Sequence, residues 1–216
     1  MLKFFVIGTA LIMVVGGIVY FLQSKARVAT PAVESTAQVS LQAATSTYAT
    51  TTFSVVYPAN FSVDSNFANN EVSNKKLIGG VKFSIPDTMA TGTNLAAETF
   101  VSVEQLPRAK ICSGDIYLKD NVKSTTVKDG GVNYSFATTS QAAVGATYDE
   151  YVYALVGSNP CTAVRYYILT SDMGTYSPGE AKPYDAAALM KIFDDIRHSL
   201  VLISQTSAPS TAHSQR

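Results

Sequence analysis

The chain predicts an α+β domain, a mainly antiparallel sheet with one C-terminal amphipathic helix packed on it, preceded by one transmembrane helix. Three observations carry this. Runs rich in Val, Ile, Phe, Tyr and Thr alternate with clusters of Gly, Pro, Asn and Asp, the pattern of strands and turns. One late segment, Asp185 to Leu200, places Leu189, Phe193, Ile196 and Leu200 on a single helical stripe. No repeated strand–helix–strand rhythm accompanies them, which argues against a parallel, doubly wound sheet.

The elements follow in chain order. Phe4 to Leu22 carries no charge and is bounded by Lys3 on one side and by Lys25 and Arg27 on the other. At about 1.5 Å per residue it reaches about 28 Å, close to the roughly 30 Å hydrocarbon core of a bilayer. Signal-peptide apolar regions are shorter, about 7–15 residues, so residues 1–25 read as an uncleaved anchor, with Ser24-Lys25-Ala26 as the competing cleavage site. Residues 26–51 are small and hydroxylated without an apolar period, and read as a flexible Ala/Thr/Ser linker in which Pro31 stops any continuing helix. Residues 52–203 form the predicted domain, and residues 204–216 a disordered tail.

Within the domain, TFSVVYP places Phe53, Val55 and Tyr57 on one face. FSVD, Lys76 to Pro86, Thr99 to Glu104, Asn133 to Thr138, Tyr148 to Val156 and Cys161 to Thr170 supply further strands. Gly79-Gly80 reads as a turn or a bulge, and Asn94 to Thr99 as a short helical turn. The last two strands form a hairpin across Gly157 to Pro160. A register pairing Val156 with Cys161 puts Val152 opposite Arg165. Tyr151, Tyr153 and Leu155 then join Thr162, Val164, Tyr166 and Ile168 on the core side. Glu150 and Arg165 fall diagonally on the other, near Tyr148 and Tyr167, as a cross-strand ion pair on a solvated or half-covered face. In the helix, Asp185 caps the start, and Arg197 and His198 suit the negative end of the helix dipole.

Composition excludes several functions. Sixteen basic residues balance sixteen acidic ones, so nothing draws the chain to nucleic acid. Two His and two Cys leave little for a metal or a His-centred catalytic site, and no cofactor or metal is expected. His198 ends the helix and His213 lies in the tail. A sortase-like site fails because His198 follows both Cys residues. Ser73-Asn74-Lys75-Lys76 has the S-x-x-K spacing of an activated Ser, in a polar, turn-like setting without partner motifs. Asp194-Asp195 and the Asp115 and Asp120 pair read as solvated carboxylates. Asn60-Phe61-Ser62 and Asn133-Tyr134-Ser135 fit glycosylation acceptors only in a eukaryotic secretory pathway. Cys112 and Cys161, the only thiols, read as a disulfide if the domain is exported, the alternative being two separate buried thiols.

Two stretches carry resemblances. TTFSVVYPANFSV resembles the opening of Mog1/PsbP-like domains, which implies an antiparallel sheet flanked by helices. TNLAAETFVSVEQLPRAKIC and NPCTAVRYYILTSDMGTYSPGEAKPYDAAALMKIFDDIRHSL are similar to uncharacterised membrane-anchored proteins of candidate-phylum (Patescibacteria-type) bacteria, with Ser171-Asp172 standing where that pattern has H-S-x-N. The second resemblance implies a similar topology and paired Cys112 and Cys161, and brings no activity.

The expected function is a membrane-anchored, extracytoplasmic, non-enzymatic binding or interaction module. Its partners would be the membrane, through Phe4 to Leu22, and an envelope protein. Glu150, Arg165 and Tyr167 are the ligand-binding candidates, and the loop Met173 to Pro183 reads as an ordinary connection, with a recognition surface as the alternative. An envelope hydrolase using Glu150, Arg165 or Ser73, and a pilin-like structural protein, are the alternatives.

Overall fold

The computed structural model describes residues 44–73, 77–119 and 121–203. The predicted anchor, residues 26–43 of the linker and the tail lie outside them. Among the described residues no helix is long and apolar enough to cross a membrane.

Among the described residues eleven strands and one long helix make an α+β architecture in which every strand pair is antiparallel. A small sheet has the order β1-β2-β11, from β1 (Thr45–Ala49), β2 (Phe53–Pro58) and β11 (Val201–Leu202). The large sheet draws on β3 (Ser62–Asp64), β4 (Ala68–Asn69), β5 (Ile78–Ser84), β6 (Phe100–Leu106), β7 (Thr125–Asp129), β8 (Val132–Ala143), β9 (Ala146–Leu155) and β10 (Cys161–Ser171). Its order is β3-β5-β6-β10-β9-β8-β7, with β4 also on β5.

β1 falls inside the stretch read as linker. Its TSTYA alternates only weakly, and what makes it a strand is the ladder to β2, in which Tyr48 faces Val55. Gly79-Gly80 is neither turn nor bulge, because β5 runs straight through with Gly80 opposite Glu104. A Cβ at Gly80 would lie 2.3 Å from the Val103 carbonyl, so the close approach of β6 demands glycine. The helical turn expected over Asn94 to Thr99 is absent. The short helix α1 (Asp87–Ala90) precedes it, and Asn94 instead ties two loops, its Nδ2 donating to the Ser171 carbonyl at 3.1 Å while its Oδ1 accepts from the Tyr184 amide at 3.0 Å.

The helix α2 (Ala186–His198) forms where the stripe predicts, with the Asp185 carboxylate accepting the Ala188 amide at 3.0 Å. Its Leu189, Phe193 and Ile196 are buried with Val81, Phe83, Val101, Val103, Val164 and Tyr166. Phe53 and Val55 of the small sheet complete that core, so the helix and the small sheet share one face of the large sheet.

The β9–β10 register places Arg165 opposite Val152, as the hairpin reading expects. Side chains alternate across a strand. Val164 and Tyr166 therefore join the helix side, while Ala163 and Arg165 point to the other face. That second face is also buried: Tyr117, Leu118, Ala137, Val152, Ala154, Cys161 and Ala163 form a separate apolar cluster there.

Candidate functional site

The cover over the second face comes from the chain between β6 and β7. A disulfide joins Cys112 in that segment to Cys161 at the start of β10. The 3₁₀ turn Gly114–Tyr117 then lies flat on the sheet. A Cβ at Gly114 would sit 2.8 Å from both the Ala137 amide nitrogen and the Ser135 carbonyl oxygen, so only glycine allows this approach. Tyr117 points inward and donates its hydroxyl to the Cys161 carbonyl at 2.7 Å.

Beneath that cover the expectation of a solvated or half-covered ion pair is corrected. Arg165 and Glu150 do pair, Nη1 to Oε2, but they are only 2% and 3% exposed, because the segment after β6 folds back over them. A third residue completes the group. Glu104 on β6 takes Arg165 through two hydrogen bonds, Nε to Oε1 at 2.8 Å and Nη2 to Oε2 at 3.2 Å. Arg165 Nη2 also donates to the Tyr117 carbonyl at 2.5 Å, and the Ser102 hydroxyl donates to Glu104 Oε1 at 2.7 Å. Asn69 Nδ2 reaches Glu104 Oε2 at 3.4 Å.

Sequence reading missed Glu104 as a site residue. The available signal was an acid at the end of TFVSVE, on the same strand face as Ser102. Its pairing with β10 joins residues 61 positions apart, which no local pattern reveals.

Two carboxylates now face one buried guanidinium. Burial raises the Glu150 pKa above the ordinary carboxylate value, Arg165 opposes this, and Glu71 adds to it. Arg165 meets the same desolvation, and Glu104 and Glu150 more than offset it, so its charge is held.

The group opens on one side into a small cleft. A cavity of about 100 Å³ is lined by Phe67, Phe100, Glu71, Glu150, Arg165 and Tyr167, so the three predicted residues do come together. A wider hollow of about 440 Å³ shares Asn70, Glu71 and Tyr167 and adds Lys119, Gln141 and Tyr148. Phe100, Tyr167 and Tyr148 stack across strands, with ring centroids 4.9 and 6.1 Å apart. Phe67 meets Phe100 edge-on, and Lys82 Nζ lies 5.5 and 5.6 Å from these two rings. Arg165 directs its donors to Glu104, Glu150 and Tyr117. The cleft therefore presents carboxylates, ring edges and a phenol to a visitor.

A second charged group lies at the end of α2. Arg197, expected to complement the helix dipole, is 2% exposed and reaches further. Its Nε donates to the Tyr166 hydroxyl at 2.7 Å, and its Nη2 to Asp194 at 2.9 Å and to Asp129 at 2.5 Å. Its guanidinium lies 4.2 and 4.9 Å from the Tyr153 and Tyr134 ring centroids. His198 Nε2 meets the same Asp129 oxygen at 2.9 Å. Asp129 ends β7, so this group fastens the helix to the far edge of the large sheet. The Arg197 and His198 hydrogen bonds hold the Asp129 carboxyl down at about 2.

The remaining candidates do not line the cleft. In the loop Met173 to Pro183 the Lys182 amide donates to the Gly92 carbonyl, and its carbonyl accepts the Asn94 amide. Ser73 is described, but its S-x-x-K partner Lys76 lies outside the described residues. Among the described residues no cluster of three or more His, Cys, Asp or Glu is arranged to hold a metal ion.

Fold and site together define an α+β module whose antiparallel sheet is buried on both faces and carries a polar, aromatic-walled cleft over a buried ion group. No family model matches the chain, and no curated protein does. A solved structure from Bacteroides thetaiotaomicron VPI-5482 is similar at a TM-score of 0.41 and 15% identity, over 71% of this chain and 46% of that one. The chain thus spans less than half the length of that protein.

Proposed function

We propose that this chain is a membrane-anchored, extracytoplasmic module that binds a ligand or an envelope protein without catalysing a reaction. In this reading Phe4 to Leu22 hold it in the bilayer, and Glu150, Arg165 and Tyr167 mark the binding cleft. The observation that carries it is the Cys112–Cys161 disulfide, since such bonds form and persist in oxidising compartments. The uncharged run from Phe4 to Leu22 supports the anchor. The antiparallel sheet with its late helix is compatible with the Mog1/PsbP-like sandwich that the TTFSVVYP stretch suggests, and we include that family likeness in the proposal.

Two measurements test it. Full-length chain extracted from native membranes and unfolded without reductant is expected to take up no alkylating reagent, and to take up label at both Cys112 and Cys161 after reduction. Free thiols before reduction would remove the compartment assignment. A photo-cross-linker placed at Tyr167 in the envelope is expected to capture a discrete adduct that Glu150→Ala diminishes. Turnover of an ester or peptide substrate that Glu150→Gln abolishes would instead establish the hydrolase.

A further inference from the structure

The loop leaving β6 and the approach to β5 place apolar side chains in water beside basic ones. Ile111 is 76% exposed and Leu77 59%. With Leu106 and Ile116 they rim an open hollow of about 970 Å³ whose charged lining residues, Arg108 and Lys110, are both cations. No carboxylate lines it among the described residues. Ile111 neighbours Cys112, whose bond to Cys161 fixes the loop to the body. Ile111 is therefore presented by a restrained segment, and little ordering entropy opposes its burial.

This pairing of exposed aliphatics with a cationic fringe is complementary to an anionic lipid surface. Ile111 and Leu77 suit the boundary between headgroups and acyl chains, and Arg108 and Lys110 suit the headgroup phosphates. The chain also supplies proximity. From Leu22, the end of the uncharged run, to Ala44, the first described residue, the backbone spans at most about 75 Å. A bilayer holding Phe4 to Leu22 is thus always within reach, and a linker of that size makes the contact intramolecular, at an effective concentration on the order of millimolar. A patch too small to hold a free protein on a membrane is sufficient under those terms.

We propose that the surface around Leu77, Arg108, Lys110 and Ile111 rests on the anionic surface of the membrane that carries the chain. The proposal rests on the anchor reading of Phe4 to Leu22. It would orient the cleft and restrict which partners reach it.

The chain contains no Trp, so one introduced indole reports alone. Full-length Ile111→Trp and Val144→Trp are placed in nanodiscs containing anionic phosphatidylglycerol, with and without bromine on the acyl chains. Val144 is exposed in the turn between β8 and β9, at the end of β10 where Ser171 faces Ala146, whereas Leu106 faces Cys161 at the other end. The expected result is bromine quenching about threefold stronger for Ile111→Trp, reduced to the Val144→Trp level by Arg108→Glu with Lys110→Glu or by high salt. Retention of the chain on the discs through an alkaline wash reads the anchor separately. Retained chain with equal quenching at both positions overturns the surface contact and leaves the anchor standing. Chain lost from the discs overturns the anchor and the contact with it. Bromine-independent shielding that grows with the number of chains per disc makes the patch an interface between copies, and also overturns the proposal.

Discussion

Tyr117 and Arg165 hold each other from opposite sides of one buried layer. The Tyr117 carbonyl accepts from Arg165 Nη2 at 2.5 Å while the Tyr117 hydroxyl donates to the Cys161 carbonyl at 2.7 Å, so one residue both closes the ion group and fastens the cover to β10. The covering segment and the ion group under it therefore depend on each other. A change in either is expected to register in the other.

Arg165→Met removes the cation that pairs with both Glu104 and Glu150. Stranding buried carboxylates is expected to cost about 3–5 kcal/mol at neutral pH. Arg165 opposes the rise that burial imposes on the Glu150 pKa, so without the guanidinium that pKa moves further above its unfolded value, the folded form binds more protons there, and part of the loss is recovered as pH falls. Urea midpoints at pH 5 and pH 7 check this; an equal deficit at both would show that lost packing dominates.

Glu150→Gln behaves differently. Burial raises the Glu150 pKa, so its contribution to stability is complete below the unfolded value and is lost as pH rises through the folded one. The amide escapes that loss while its oxygen still accepts from Arg165, and Glu104 still balances the charge. Stability at pH 7 is expected to equal or exceed that of the parent, with a flatter profile above the ordinary carboxylate range. A Glu150→Gln variant as damaged as Arg165→Met would refute this division of labour.

Reduction of the disulfide, or Cys112→Ser with Cys161→Ser, removes the covalent tie between the cover and β10 and leaves the Tyr117 hydrogen bonds to hold it. In the chain-entropy model a loop of about 50 residues corresponds to about 4 kcal/mol, and native bridges typically contribute about 2–5 kcal/mol. Hydrogen exchange at the Tyr117 and Leu118 amides is expected to accelerate more than at the Val164 and Tyr166 amides, because the cover opens before the sheet does. Uniform acceleration would mean that the two parts unfold as one.

Gly114→Ala forces a Cβ against the backbone of β8, where neither wall can yield. A destabilisation of about 1–3 kcal/mol is expected from such overpacking. Gly179→Ala, at a positive φ of 82° but in open space, is expected to cost less, about 1 kcal/mol, from backbone conformation alone. Thermal melts of the two variants separate the effects.

Asp129 sets the acid limit of the helix attachment. Its folded pKa of about 2 lies below the unfolded value, so its contribution is present above about pH 4 and is lost as pH falls toward 2. Asp129→Asn is expected to flatten the stability profile across that interval. An unchanged acid limb would mean that the exposed side of the carboxylate is screened by solvent.

Much of the fold follows from local pattern, because local pattern is what governs it. The stripe of Leu189, Phe193 and Ile196, the Asp185 cap, and the Arg165–Val152 register all involve residues near one another in the chain or joined by one turn. The strands Thr45–Ala49 and Thr125–Asp129 escaped notice because their side chains are mostly polar and only their partners β2 and β8 make them strands.

The sequence by itself determined the α+β class, the late helix, the central hairpin and the placing of Glu150, Arg165 and Tyr167 on one face. Tertiary structure alone decided that this face is covered, that Glu104 joins Arg165, and that Arg197 reaches across to Asp129. The physical reason is distance along the chain. Whether a charge lies in water or in a dry interior depends on what folds back over it, and that is settled by pairings such as β6 with β10 and Cys112 with Cys161, which no neighbouring residue encodes.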